Sequence, residues 1–183
     1  MCEVMSMKLY FVRHGQTEWN VEKRIQGSVD QPLNEKGESQ ARELAEKIKD
    51  IKIDKIISSP LKRAYRTAEI INEKFNLDIE TDTRLAERNY GVNEGEYTKD
   101  FAYNDFWSYT KHVSVEEAEE IEEFFQRVNE FLSELKNKNE YENILLVAHN
   151  GVGRAINYYF NDMTDEEIIK FILPNGEAVE YEL

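Results

Sequence analysis

The sequence predicts an α/β protein, a layered sandwich of strands and helices, on three observations. Short β-branched runs alternate along the chain with segments of helical periodicity. The 183 residues contain no internal repeat, no Pro/Gly/Ser-rich linker and no low-complexity tract; a chain of this length reads as one domain over 1–183, able to bury roughly 70% of its unfolded surface. Two of the apolar runs, "LYFVRH" and "LLVAH", end in a histidine followed within two residues by glycine, and strand ends are where α/β proteins build their sites.

The elements follow in chain order. Leu9 to Val12 have the β-branched and aromatic character of a buried strand, and Gly15 lets the backbone turn sharply or approach a ligand closely. Asn34 is placed to cap a helix whose Ala41, Leu44, Ala45 and Ile48 recur at helical spacing. Lys55 to Ser58 reads as a short strand. Ser59-Pro60 then reads as a cap followed by a first-turn proline, with Leu61, Ala64, Tyr65, Ala68, Ile71 and Phe75 on the inner face of the helix. Val115, Ala118, Ile121, Phe124, Val128, Phe131 and Leu135 predict one long amphipathic helix, and the six glutamates between 116 and 123 are its solvated face. "ENILLVAH" (142–149) is a second buried strand, and "EAVEYEL" closes the sheet.

Composition narrows the partners. Thirty-seven acidic residues against twenty-three basic ones give a net charge of −14, which disfavours nucleic acid through long-range repulsion. A bound anion therefore needs a local cluster of positive charge. The apolar run from Ile144 to Ala148 is far too short for a membrane span, and the N-terminus lacks the layout of a signal peptide. The single cysteine, Cys2, allows no internal disulfide, so the expected setting is cytoplasmic.

If the two histidine-terminated strands are neighbours, His14 and His149 face each other at the carboxyl edge of the sheet. The third histidine, His112, is isolated, and neither HxH nor HExxH spacing occurs, so no metal site is expected.

Six blocks carry a wider resemblance: "RHGQTEWN" (13–20) with "QG" (26–27), "DQPLNEKGESQA" (30–41), "SSPLKRAYRTA" (58–68), "LAERNYGVNEG" (85–95) and "VAHNGVGR" (147–154). In order and spacing they are similar to the histidine phosphatase superfamily, also called phosphoglycerate mutase-like. The resemblance implies a three-layer α/β/α sandwich with a mixed, mostly parallel central sheet, and a phosphohistidine mechanism with no metal or other cofactor. By it His14 resembles the nucleophile, Arg13, Asn20 and Arg63 phosphate contacts, His149 the second pocket histidine and Glu87 the proton donor. Gln26, Gly27, Arg88, Tyr90 and Asn150 fall in the same blocks and are candidate substrate contacts.

The residue chemistry agrees with those roles. A neutral imidazole attacks phosphorus without a separate base, and paired guanidiniums match the spread charge of a transferring phosphoryl group. Arg63, in the first turn after Ser59-Pro60, also lies beside a helix N-terminus that favours anions. His149 donates to the phosphoryl oxygens best when protonated, and Glu87, kept protonated by partial desolvation, is suited to protonating the leaving oxygen and then activating water.

Three departures shape the expected reaction, hydrolysis of a small phosphorylated metabolite. Asn150 stands where most family members have glycine after the second histidine, which adds a side chain beside the phosphate. Asn89 stands where the mutases have a histidine, and no proline lies between Pro60 and Pro174, where mutases carry a proline-rich insertion. The segment 96–114 is a candidate lid, in which Tyr97, Phe101, Tyr103, Phe106 and Trp107 line the leaving-group side, His112 sits at the edge and Lys99 and Lys111 supply the cations. Such a wall favours an apolar or ring-bearing leaving group. The alternatives are a cofactor-dependent phosphoglycerate mutase and a phospho-ligand-binding module without chemistry; retention of His14, His149 and Glu87 disfavours the latter.

Overall fold

The computed structural model describes residues 6–183; Cys2 lies outside them. The expected first strand is β1 (Lys8–Arg13). It leads into a single turn, α1 (Glu18–Glu22), held by a capping box in which Thr17 and Asn20 satisfy each other's backbone N–H groups. Asn34 caps α2 (Glu35–Ile48) by accepting from Gly37 N at 2.9 Å. The chain continues through β2 (Lys55–Ser58), α3 (Lys62–Asn72), β3 (Ile79–Thr81), the four-residue α4 (Tyr103–Phe106), α5 (Ile121–Lys138), β4 (Asn143–Ala148), α6 (Asn150–Phe160), α7 (Asp165–Lys170) and β5 (Ala178–Glu182).

The strands form one sheet in the order β3-β2-β4-β1-β5, with the first four parallel and β5 antiparallel on β1. Alternation along the strands sends Leu9, Phe11, Ile144 and Leu146 to one face, where α5 and α6 cover them with Phe124, Val128, Val152 and Ile156. Val12, Leu145 and Val147 point to the other face, against Leu44 and Ile48 of α2 and Ala64, Ala68 and Ile71 of α3. This is the three-layer arrangement with a mixed, mostly parallel sheet.

Two helix starts differ from the sequence reading. The Ser59 hydroxyl contacts His149 and accepts from Leu61 N at 3.3 Å, so Pro60 lies in a bend, Leu61 is the cap and α3 begins at Lys62. Tyr65 is only half-buried, and Phe75 lies beyond the helix end. The long helix begins at Ile121 rather than near Val115, because Glu117 takes φ +61° and Ala118 pairs with Tyr90 in an isolated antiparallel bridge. The glutamate run therefore straddles the helix start, and Glu119 forms a two-pronged pair with Arg127 at 2.6 and 2.9 Å instead of facing only solvent.

Register determines where the polar strand ends emerge. Arg13 lies opposite Ala148, so the next residues, His14 and His149, leave neighbouring strands together, and His14 N donates to Ala148 O at 3.0 Å. Ser59 N donates to Val147 O at 2.9 Å and brings a third strand end to the same edge.

Candidate active site

A cavity of about 470 Å³ opens at this edge. A larger groove of about 740 Å³ along α5 is lined by neither histidine nor arginine, whereas the smaller one is lined by His14, Arg13 and Arg63.

His14 is 3% exposed, and its Nδ1 lies 2.7 Å from Gly15 O. A carbonyl only accepts, so Nδ1 carries the proton and Nε2 keeps its lone pair. Burial, followed by the Arg63 and Arg13 charges, holds its pKa well below the ordinary 6.5, and the ring is neutral at pH 7. The His149 ring lies 5.2 Å away between centroids; its Nε2 is 2.7 Å from Ser59 Oγ and its Nδ1 is buried without a partner. Burial depresses its pKa too, ahead of the Arg63 charge. The protonated His149 expected from sequence is thus not the form these surroundings favour, because a desolvated imidazole beside arginines rejects a second positive charge.

Arg63, 1% exposed, donates to Val29 O and Gly27 O, both at 2.7 Å, and burial lowers its pKa to about 10, which leaves it charged. Arg13 donates to Leu173 O at 2.7 Å. Neither has a carboxylate within ion-pair distance among the described residues, and the Nε of each is buried without a partner. An anion-shaped deficit therefore sits beside His14 despite the chain's negative charge. Glu87 reaches the same place from the loop after β3, its carboxylate accepting from Arg88 N and Gly151 N, each at 2.9 Å. A Cβ on Gly151 would stand 2.0 Å from Glu87 Oε1; glycine at the start of α6 is what lets the carboxylate enter.

The remaining candidates separate. Asn20 lines the cavity, with its Oδ1 accepting from Thr17 N at 3.0 Å, and its donor Nδ2 is the group left for a ligand. Gln26 lines it too, accepting from Thr17 Oγ1 at 2.9 Å, and Gly27, at φ +51°, contributes the carbonyl that holds Arg63. Tyr90 lines it with its hydroxyl accepting from Trp107 Nε1 at 2.8 Å; burial first, then Tyr103, raises its pKa well above 10.

Arg88 is a correction. It is fully buried away from the cavity, donating to Glu119 O at 2.9 Å and Phe106 O at 2.6 Å and stacking over the Phe106 ring at 3.5 Å, so its role is to fasten the aromatic segment to the approach of α5. Asn150 does line the cavity, and its amide bonds the backbone of residues 171 and 173.

The aromatic segment divides as well. Tyr103 and Thr98 line the cavity, whereas Phe106 and Trp107 are core residues at 1% and 0% exposure, Phe101 packs on that core, and Tyr97 sits outside under Arg24. His112 is exposed beside Glu122, away from the cavity. Lys99 and Lys111 do not line it either; the further cations that do are Lys23, Arg24 and the buried Arg154, which sequence reasoning missed. Arg154 donates to Tyr103 Oη at 3.1 Å and Ile169 O at 3.2 Å and lies 4.4 Å from the Trp107 ring. Its signal was its place in the "VAHNGVGR" block, as that of Trp19, also a lining residue, was its place in "RHGQTEWN"; Ile172, which lines the cavity too, lies in no block. Among the described residues no three His, Cys, Asp or Glu side chains are grouped to hold a metal ion, and no helix is long and apolar enough to cross a membrane.

The family model of the histidine phosphatase superfamily (branch 1) matches residues 9–183. The chain belongs to the histidine phosphatase superfamily. Among its relatives, PhoE of Bacillus subtilis (strain 168), named as an uncharacterized phosphatase, is 40% identical over 149 residues, covering 79% of this chain and 72% of its own. GpmB of Escherichia coli, named as a probable phosphoglycerate mutase, is 40% identical over 149 residues, 78% of this chain and 69% of its own. Among solved structures, the alpha-ribazole phosphatase from Shigella flexneri superposes with a TM-score of 0.83 at 28% identity over 95% of this chain and 89% of that one. The superposition shows that the alpha-ribazole phosphatase shares the fold of this chain.

Proposed function

We propose that this histidine phosphatase superfamily member hydrolyses small phosphomonoesters through a phosphohistidine on His14, without metal. The observation that carries this reading is the His14 ring: a neutral imidazole with its proton fixed on Nδ1 and its Nε2 lone pair beside two arginines that lack carboxylate partners. In the first step Nε2 forms a bond to phosphorus as the ester P–O bond breaks, and the acid form of Glu87 gives its proton to the leaving oxygen. In the second, Glu87 as carboxylate takes a proton from water, the hydroxide oxygen bonds phosphorus, and the P–N bond breaks to release phosphate. Arg13, Arg63 and Asn20 hold the equatorial oxygens, and His149 donates once the dianion's charge offsets the neighbouring arginines.

Phosphoryl transfer between two positions of a sugar acid is the second reading, favoured by the likeness to GpmB and by the further cations Lys23, Arg24 and Arg154 in the cavity lining. Hydrolysis is preferred because the likeness to PhoE and to the alpha-ribazole phosphatase points to it and because the cavity stays open to water. A phosphate-release panel of phosphorylated metabolites, run beside a coupled 3- to 2-phosphoglycerate mutase assay primed with the bisphosphate, tests this. Release should exceed mutase turnover and be indifferent to a chelator; mutase turnover above the best hydrolytic rate would overturn it, and loss with chelator restored by a divalent ion would overturn the metal assignment.

A further inference from the structure

Ile172 poses the question. Among the described residues it is one of four large apolar side chains that are well exposed, at 67%, yet it lines the cavity with Trp19 and Tyr103. An exposed isoleucine on a loop is ordinarily free to rearrange. This one is bracketed: Asn150 Nδ2 donates to Phe171 O at 3.3 Å, and Asn150 Oδ1 accepts from Leu173 N at 2.9 Å. Those groups belong to the two peptide units flanking the Ile172 Cα, so one side-chain amide pairs with this residue as a neighbouring strand would.

The rest of the segment is tied down on both sides. Leu173 precedes Pro174 and is thereby restricted to extended backbone; Arg13 Nη1 donates to its carbonyl at 2.7 Å. Asn175 Nδ2 donates to His14 O at 2.9 Å, and Gly176 N to Arg13 O at 3.1 Å. Residues 171–176 thus form a strap anchored on the phosphoryl end, and Ile172 is the apolar side chain it holds over the other end. Asn150 is adjacent to His149, so the bracket is set by the rigid start of α6.

We infer that Asn150 and Ile172 form one specificity element, in which Asn150 is a positioning residue that fixes the strap and Ile172 is an apolar rim favouring phosphomonoesters with an apolar or ring-bearing leaving group. The inference rests on the phosphatase reading above.

The test compares 2-phenylethyl phosphate with ethyl phosphate, whose leaving alcohols need the same proton and differ in apolar surface. The ratio of their kcat/KM values should fall about five- to tenfold in Ile172→Ser and by a similar factor in Asn150→Gly, through KM rather than kcat. Because the second residue acts through the first, the double variant should lose no more than Ile172→Ser alone. An unchanged ratio in Ile172→Ser overturns the rim, and multiplicative losses in the double variant overturn the link. Thermal melts show whether each variant is folded, with Asn150→Ala replacing an unfolded Asn150→Gly. Calorimetric binding of 2-phenylethylphosphonate against ethylphosphonate repeats the comparison without turnover: if wild type hydrolyses no ester but Ile172→Ser removes the phosphonate preference, the phosphatase reading fails and the specificity element stands.

Discussion

The two ends of the cavity are built differently. At the phosphoryl end, three adjacent parallel strands deliver His14, Ser59 and His149 from neighbouring registers, and Arg63 stands in the first turn of α3. Every group there is fixed by a backbone hydrogen bond or a sheet position. At the leaving-group end, Trp19, Tyr103, Arg154 and Ile172 arrive from four separate segments, held by side chain to backbone bonds such as those of Asn150 and Arg154. The first end is imposed by the fold and the second is assembled on it. Changes at the first should therefore remove chemistry, and changes at the second should redirect it.

The largest effect that can break this division is at His14. His14→Ala should reduce phosphate release to background while the fold survives, and acid quenching of the wild type during turnover should trap an acid-labile phosphoenzyme that the variant lacks. Turnover persisting in the variant would remove His14 from the mechanism. Glu87 comes next: Glu87→Gln should slow alkyl esters by about 10²- to 10⁴-fold but aryl esters with good leaving groups far less. Equal losses on both would assign the proton transfer elsewhere. Arg63→Lys keeps one charge but lacks the planar fork whose Nη1 and Nη2 donate to Val29 O and Gly27 O and leave Nε without a partner, and should cost about 10²- to 10³-fold in kcat on every ester alike. A loss that varies with the leaving group would blur the boundary drawn between the two ends.

The same division explains what could be read in advance. Sheet strands, the capped α2 and the residues His14, Arg13, Arg63, His149 and Glu87 lie in contiguous blocks whose pattern is local, so the sequence displays them. Arg88 misled because it shares a block with Glu87, while its guanidinium turns away to Phe106 O and Glu119 O; a local pattern does not record which way a buried side chain turns. The bonds of Asn150 were hidden for a related reason, since its partners lie twenty-one and twenty-three residues further on. The start of α5 was obscured because Val115 and Ala118 do pack on the core at helical spacing, but from a turned segment that Tyr90 holds by a bridge. Ile172 has no motif at all, and only the strap's anchoring makes it meaningful.

The smallest effect sharpens the contrast through stability. His14 and His149 are buried and neutral, with pKa values well below 6.5 in both cases, whereas the unfolded chain titrates them near 6.5. Below that pH the unfolded state binds protons that the folded state refuses, so the stability slope with pH is positive and stability falls as the solution is acidified. Each histidine contributes at most about 1.4 kcal/mol per pH unit, or about 2.7 for the pair, between 6.5 and the folded values. Half-buried carboxylates such as Asp82, whose desolvation is outweighed by hydrogen bonds and charge from Arg84 so that its pKa is lowered, add their loss only below the ordinary carboxylate range, so the two windows separate. No residue lining the leaving-group end is a histidine, and acid between pH 6.5 and 5 should strain the phosphoryl end alone. Urea midpoints at constant m-value, measured in phosphate-free buffer across that interval, should show the decline in wild type and a much flatter profile in the His14→Gln/His149→Gln double variant. An undiminished slope in that variant would place the acid sensitivity outside the phosphoryl end.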